Sequence, residues 1–233
     1  MCMEKLMKVK LISYSTPSDE MADDINNVQD LIAYCARVSN PANQLNTETS
    51  EKLIRYLIKH KHWSPLEMVS ACLEIETTRD IARQILRHRS FSYQEFSQRY
   101  ADPTKDLAFT VRDARLQDTK NRQNSVDLDM NDDAQRQIAY GWEQMQQRVI
   151  NEARNAYEWA ISKGIAKEQA RAVLPEGLTM SRMYMNGTLR SWIHYIELRS
   201  ANGTQKEHMD IAIVCAEVIA KIFPMASEFV TKE

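Results

Sequence analysis

A chain of 233 residues is long enough for one domain with its own core and short for two, so a single domain spanning 1–233 is expected. Its 30 basic and 32 acidic side chains leave a formal net charge of -2, which excludes a global field drawing the protein to nucleic acid or to an anionic membrane. No apolar run approaches the ~20 residues of a membrane span, and Met1 to Lys10 lacks the apolar core of a signal peptide, so a cytoplasmic protein is expected.

Lys8 to Ser13 alternates weakly and reads as a first strand. From Asp24 to Val38, the residues Val28, Leu31, Ile32 and Cys35 recur at helical spacing, and Asn40-Pro41 closes that helix. A second helix starts in Thr47–Ser50, buries Leu53, Ile54, Leu57 and Ile58, and ends in His60, Lys61 and His62, where the macrodipole favours cations. Ser64-Pro65 then predicts an extended turn. Val69, Ala71, Leu73 and Ile75 alternate with Ser70, Cys72, Glu74 and Glu76, the clearest strand in the chain. Thr77-x-x-Asp80 can cap a helix over roughly Arg79 to His88.

Thr104 to Asp133 is charged and poor in apolar side chains, a surface excursion with a short strand at Leu107 to Val111. A long helix follows, with Ile138, Trp142, Met145, Val149, Ala153, Ala156 and Ala160 as its stripe and Gly164 as its C′ residue. Glu168 to Leu174 is a short helix stopped by Pro175, and Leu178 to Met185 a strand. Thr188 caps a helix through Leu198, and a last helix carries Ile211, Val214, Val218 and Ile222 before Pro224. Strands and helices mix without a βαβ rhythm, which points to an α+β fold with a small, mainly antiparallel sheet. Arg37 and Arg55 read as surface residues, and Trp142 and Trp159 as core or subunit contacts.

Arg87-His88-Arg89-Ser90-Phe91-Ser92-Tyr93-Gln94-Glu95-Phe96-Ser97-Gln98-Arg99-Tyr100 fits neither an apolar stripe nor a clean alternation. Clustered Arg forks beside Ser and aromatic residues suit phosphates and carbonyl-rich heterocycles, so the chemistry alone leaves two readings open, a nucleotide pocket or a solvated basic turn. This run, with His62-Trp63-Ser64-Pro65-Leu66-Glu67, Ala170-Arg171-Ala172-Val173-Leu174-Pro175, Gly187-Thr188-Leu189-Arg190-Ser191-Trp192-Ile193-His194, Leu198-Arg199 and Ala36-Arg37-Val38-Ser39, resembles the motifs of the flavin-dependent thymidylate synthases, the ThyX family. The blocks come in the family's order and spread over most of the chain.

The resemblance implies a homotetramer with active sites shared between subunits. Its substrate would be deoxyuridylate (dUMP), its cofactor FAD, and its co-substrates NADPH and methylenetetrahydrofolate. Ser64, Arg87, His88, Arg89 and Glu95 would meet FAD on one side, and Thr188, Leu189, Arg190 and His194 from another subunit. Gln84, Ile85, Leu86, Arg87, Glu95, Phe96, Ser97, Gln98 and Arg99 would hold dUMP, with Arg171 and Arg199 completing its pocket. Arg199 would be the catalytic residue. Thr188 stands where the family often has Asn, Gln98 where Gly is common, and the His that often follows the final Arg is absent from Ala201-Asn202-Gly203-Thr204-Gln205.

Cys2, Cys35, Cys72 and Cys215 are dispersed and form no CxxC pair, which argues against a zinc site or a disulfide framework. None accompanies the arginine cluster, so a cofactor rather than a thiolate is expected to run the chemistry. His60 and His62 lack a third partner at ligand spacing, so no metal is expected. Two other classes compete with the enzyme: a polyanion-binding module using the same arginines, and a helical interaction protein. Bound flavin would separate both from it.

Overall fold

The computed structural model describes residues 7–231, and Cys2 lies outside them. In chain order it runs β1 (Lys8–Tyr14), α1 (Val28–Ala36), α2 (Ser50–Lys59), β2 (Ser70–Thr78), α3 (Arg79–Ile85), β3 (Ser92–Glu95), α4 (Pro103–Asp106), β4 (Arg115–Gln117), β5 (Ser125–Asp127), α5 (Asp133–Ser162), α6 (Lys167–Ala170), β6 (Met180–Thr188), α7 (Leu189–Arg199) and α8 (Lys206–Ala220). Four strands form an antiparallel sheet in the order β1-β2-β6-β3, and β4 pairs with β5 in a separate hairpin. This is the expected α+β class. No helix among the described residues is long and apolar enough to cross a membrane.

The pleat explains the core. On one face of the central pair, Ala71, Leu73 and Ile75 stand opposite Gly187, Met185 and Met183, and all but the glycine are fully buried hydrophobes. Trp192, Ile196, Ile211, Cys215 and Ile219 belong to the same buried cluster and bring α7 and α8 onto that face. Each such large side chain contributes about 1.5–3 kcal/mol. Trp192 also donates Nε1–H to the Ala71 carbonyl at 3.0 Å. The opposite face carries Cys72, Glu74 and Glu76, with Glu76 ion-paired to Arg182.

Gly187 has a packing reason to be glycine. A Cβ there would come within 2.3 Å of the Phe91 ring, which stacks edge-on to Trp192 at 4.8 Å. Gly187→Ala is therefore expected to displace Phe91 and cost about 1–3 kcal/mol by overpacking. Chemical denaturation measures that loss, and unchanged stability would contradict the contact.

Several expectations need correction. The first helix starts at Val28 rather than Asp24, because the Asn27 side chain caps it by accepting from Asp30 N–H at 3.0 Å. Ser64–Glu67 is a 3-10 turn rather than an extended one, with Pro65 in its first positions. The third helix has Thr78, not Thr77, at its N-cap position, with the hydroxyl donating to Asp80 Oδ1 at 2.6 Å rather than capping the backbone, and it stops at Ile85, short of His88. The strand expected at Leu107 to Val111 shrinks to one bridge between Phe109 and Thr179, while the hairpin of β4 and β5 was not foreseen. Arg37 is buried, donating to the Asn46 carbonyl and, at 2.8 Å, to Thr49 Oγ1.

The largest difference concerns α5. Ile138 (48% exposed), Trp142 (46%), Met145 (54%) and Val149 (49%) face outward in the single chain, as does Trp159. Of the expected stripe, Ala153 and Ala160 are buried and Ala156 is exposed, and the buried face is completed by Gln146, Ile150 and Tyr157. A polar clamp sets that rotation: Arg112 N–H donates to Gln146 Oε1 at 2.8 Å, and Gln146 Nε2 donates back to the Arg112 carbonyl at 2.9 Å. Gly164, at φ +76°, follows the C-cap residue Lys163, as its reading as C′ requires.

Candidate active site

α3 ends against the signature, and Tyr93 on β3 shapes the turn between them. Its hydroxyl lies 2.9 and 2.8 Å from the Ile85 and His88 carbonyl oxygens and supplies a donor where the helical ladder ends, the Ile85 carbonyl also accepting from His88 N–H at 3.0 Å. The turn holds His88 with its ring edge-on to Tyr195 at 4.9 Å. Arg199, the last residue of α7, donates Nε–H to His88 Nε2 at 2.9 Å. The histidine is thus an acceptor and neutral: burial first, and the Arg199 charge second, push its pKa down to about 4. His208 lies close by on α8, pushed down to about 3 by burial, then Arg199 and His88.

Both histidines bind protons less well in the folded state than their ordinary value of 6.5. The unfolded chain therefore holds more protons between about pH 6.5 and 4, and stability should be intact above pH 6.5 and fall as pH drops through that window. Thermal melts from pH 7.5 to 4.5 test this, and a His208→Asn variant should show a shallower acid loss. A melting temperature flat across the window in both proteins would contradict it.

Glu95 was expected to reach ligands, and the fold gives it internal partners as well. Its side chain is largely buried, accepts from Ser181 Oγ at 2.9 Å, and pairs with Arg79 at 3.5 Å and Arg83 at 3.6 Å. Arg79, buried on α3, also reaches Glu176 at 3.2 Å. This Arg79–Glu95–Glu176 group ties the end of β3 to α3 and was absent from the sequence reading. Nothing in local spacing marks it, since its members lie up to 97 positions apart.

Beyond β3, the 97–100 turn meets α6. Arg99 pairs with Glu168 at 3.6 Å, Arg171 donates Nε–H to the Glu168 carbonyl at 3.3 Å, and Lys167 Nζ reaches the Tyr100 carbonyl at 2.9 Å. Arg99 and Arg171 thus both meet Glu168, and Ser97 accepts from Arg99 N–H at 3.4 Å in the same turn. Gln98 is buried, and its Nε2 has no hydrogen-bond partner among the described residues. Arg87 and Arg89 are exposed and enter no salt bridge among the described residues.

The other predicted residues gather elsewhere. Thr188 caps α7 by accepting from Ser191 N–H at 3.3 Å. Arg190 pairs with Glu67, and His194 stacks edge-on to Trp63 at 4.6 Å, so Ser64 lies in the turn that packs on the start of α7 rather than with Arg87 and His88. Leu189 is buried in the core. Arg190 and Arg199 are nine residues apart, a rotation of about 180° and a rise of about 13 Å on a helix. The two groups of predicted residues therefore lie on opposite sides of α7. A cleft of about 900 Å³ between β5, the start of α5 and the 111–114 segment is lined by none of the predicted residues.

Residues 20–225 match the model of the family described as thymidylate synthase complementing protein. The chain belongs to that family. It is 48% identical over 218 residues to a probable flavin-dependent thymidylate synthase of Paramecium bursaria Chlorella virus 1, covering 94% of this chain and 96% of that protein. It is 46% identical, with the same coverage, to a flavin-dependent thymidylate synthase of Synechocystis. Among solved structures it resembles the UMP/dUMP methylase PolB of Streptomyces cacaoi bound with 5-Br dUMP, at a TM-score of 0.76 and 25% identity over 96% of this chain and 93% of that one. For a member of the thymidylate synthase complementing protein family, the state of the thiols is informative. Burial raises the pKa of Cys35, Cys72 and Cys215 alike, the reverse of what an attacking thiolate needs.

Proposed function

We propose that the chain is an FAD-dependent thymidylate synthase that converts dUMP to thymidylate without a cysteine nucleophile. Methylenetetrahydrofolate supplies the one-carbon unit and NADPH the reducing equivalents, so that tetrahydrofolate and NADP⁺ leave as products. The observation that carries the reading is Arg199 held by a neutral His88 beside Gln84. With Nε committed to His88, the terminal amino groups of Arg199 form a fork that suits N3 and a flanking carbonyl of uracil. A fixed cation there favours the N3 anion, and opposite charges at close range typically move a pKa by roughly one to three units. The anion is richer in electrons at C5, the carbon that must take the methylene group.

The donor set fits FAD and a nucleotide phosphate. Arg87 and Arg89 offer cations unmatched among the described residues, and the orphaned amide of Gln98 offers a buried donor at the end where Arg99 and Arg171 meet. Ser64, Thr188, Arg190 and His194 would hold the cofactor from the far side of α7. Bound reduced flavin would supply the hydride. The outward apolar row on α5 and the two separated half-sites support a homotetramer in which one subunit's α7 completes another's site. The cytoplasm is the proposed location.

Purified protein should be yellow, with flavin absorbance, and should form thymidylate only when dUMP, methylenetetrahydrofolate and NADPH are all present. Colourless protein that binds RNA in a salt-sensitive way would instead favour a polyanion-binding module. Replacing Cys2, Cys35, Cys72 and Cys215 together by Ser or Ala should leave turnover largely intact, with some loss of stability where buried Cys215 fills space. A folded, flavin-loaded quadruple variant with no turnover would overturn the cysteine-free chemistry.

A further inference from the structure

Arg115 on β4 is ion-paired with Glu207 in the first turn of α8, and this pair polarises a hydrogen-bond chain that ends at the candidate site. A guanidinium only donates and a carboxylate only accepts, so each later bond has one permitted direction. Glu207 accepts from Gln205 Nε2 at 2.9 Å. Gln205 Oε1 accepts from Gln84 Nε2 at 2.8 Å. Gln84 Oε1 then faces His208 Nδ1 at 3.2 Å, which must carry the hydrogen. His208 Nε2 is left to accept from the Tyr195 hydroxyl at 3.2 Å. His208 is 0% exposed and Tyr195 1%, so water does not compete for the two ring nitrogens of the imidazole.

We propose that His208 and Gln205 are positioning residues that lock the polarity of the Gln84 amide, so that the pyrimidine meets a donor and never an acceptor from it. The inference rests on the dUMP reading above. Gln84 Nε2 carries two hydrogens, and Gln205 takes one. Arg199 can only donate as well. The base is thus met by donors alone, which matches uracil deprotonated at N3, whose O2, N3 and O4 all accept. Cytosine presents an exocyclic amino donor and finds no acceptor. Left free, the Gln84 amide could turn over and accept that amino group, so selectivity depends on the residues behind it.

The test uses the flavin-loaded enzyme and calorimetric affinities for dUMP and deoxycytidylate. Wild type should favour dUMP by on the order of 100-fold or more, and His208→Leu should cut the ratio at least about tenfold with flavin content retained. His208→Asn keeps an amide donor near Nδ1 and should preserve the ratio, whereas His208→Gln, which reaches toward Tyr195, should lose it. A ratio unchanged in His208→Leu and His208→Gln overturns the inference, as does equal loss in the Asn and Gln variants. If His208→Leu fails to fold, the Asn and Gln pair decides. Wild type that binds no dUMP overturns the functional reading itself, whereas dUMP binding with an unmoved ratio overturns only the positioning role.

Discussion

Arg199→Lys is expected to lower turnover by about two to three orders of magnitude while flavin content stays near normal. Arginine performs two tasks in this position. Its Nε–H is spent on His88 at 2.9 Å, which leaves the terminal amines as a planar fork for the base. Lysine retains the charge on a single nitrogen and cannot satisfy both partners at once. Arg199→Ala should be worse, and it carries a second signature. The Arg199 charge helps to hold His88 and His208 below their ordinary value, so its removal should let both rise and make the acid loss of stability shallower. Single-turnover thymidylate formation at saturating dUMP measures the first effect, and pH-dependent melts the second. Wild-type rates from a folded Arg199→Ala enzyme would remove this residue from the mechanism.

Arg87→Ala and Arg190→Ala are each expected to abolish most flavin binding, and their mixture to recover about one quarter of the sites after dissociation and reassembly, by random pairing. The fraction follows from geometry. Arg190 is bound to Glu67 on the side of α7 away from Arg199 and His88, and under the proposed assembly each cofactor site draws one arginine from each of two chains. A site built from the signature of one variant and the α7 of the other carries both arginines. Flavin absorbance after mixing is the readout. If subunits demonstrably exchange and no mixed assembly holds more flavin than its parents, shared sites are wrong.

Much of this was legible in the sequence where the physical cause is local. Within the alternation from Val69, Ala71, Leu73 and Ile75 emerge as the buried face of β2, and the Thr188 hydroxyl caps α7 as its position suggests. What escaped is set by partners distant along the chain. β3 is a polar run whose strand character comes from pairing with β6 some ninety residues on, so no alternation of its own announced it. Glu95 looks like a ligand contact from its motif, but Arg79 and Ser181 decide how it is held. On α5 the 3.6-residue period was correct, yet that helix has two candidate rows, and periodicity does not say which one meets its own chain. The Gln146–Arg112 clamp does. The motifs named the candidate residues, while their separation into two groups on opposite sides of α7 became visible only from the half-turn offset along that helix.

At 30 residues α5 is about 45 Å long, and its outward row of Ile138, Trp142, Met145 and Val149 is unusually apolar for a surface. Under the proposed assembly that row is covered only when copies meet, which makes dilution a chemical variable. Burying it and completing the cofactor site become one mass-action event, so melting temperature and bound flavin should both rise with protein concentration, and by the same law.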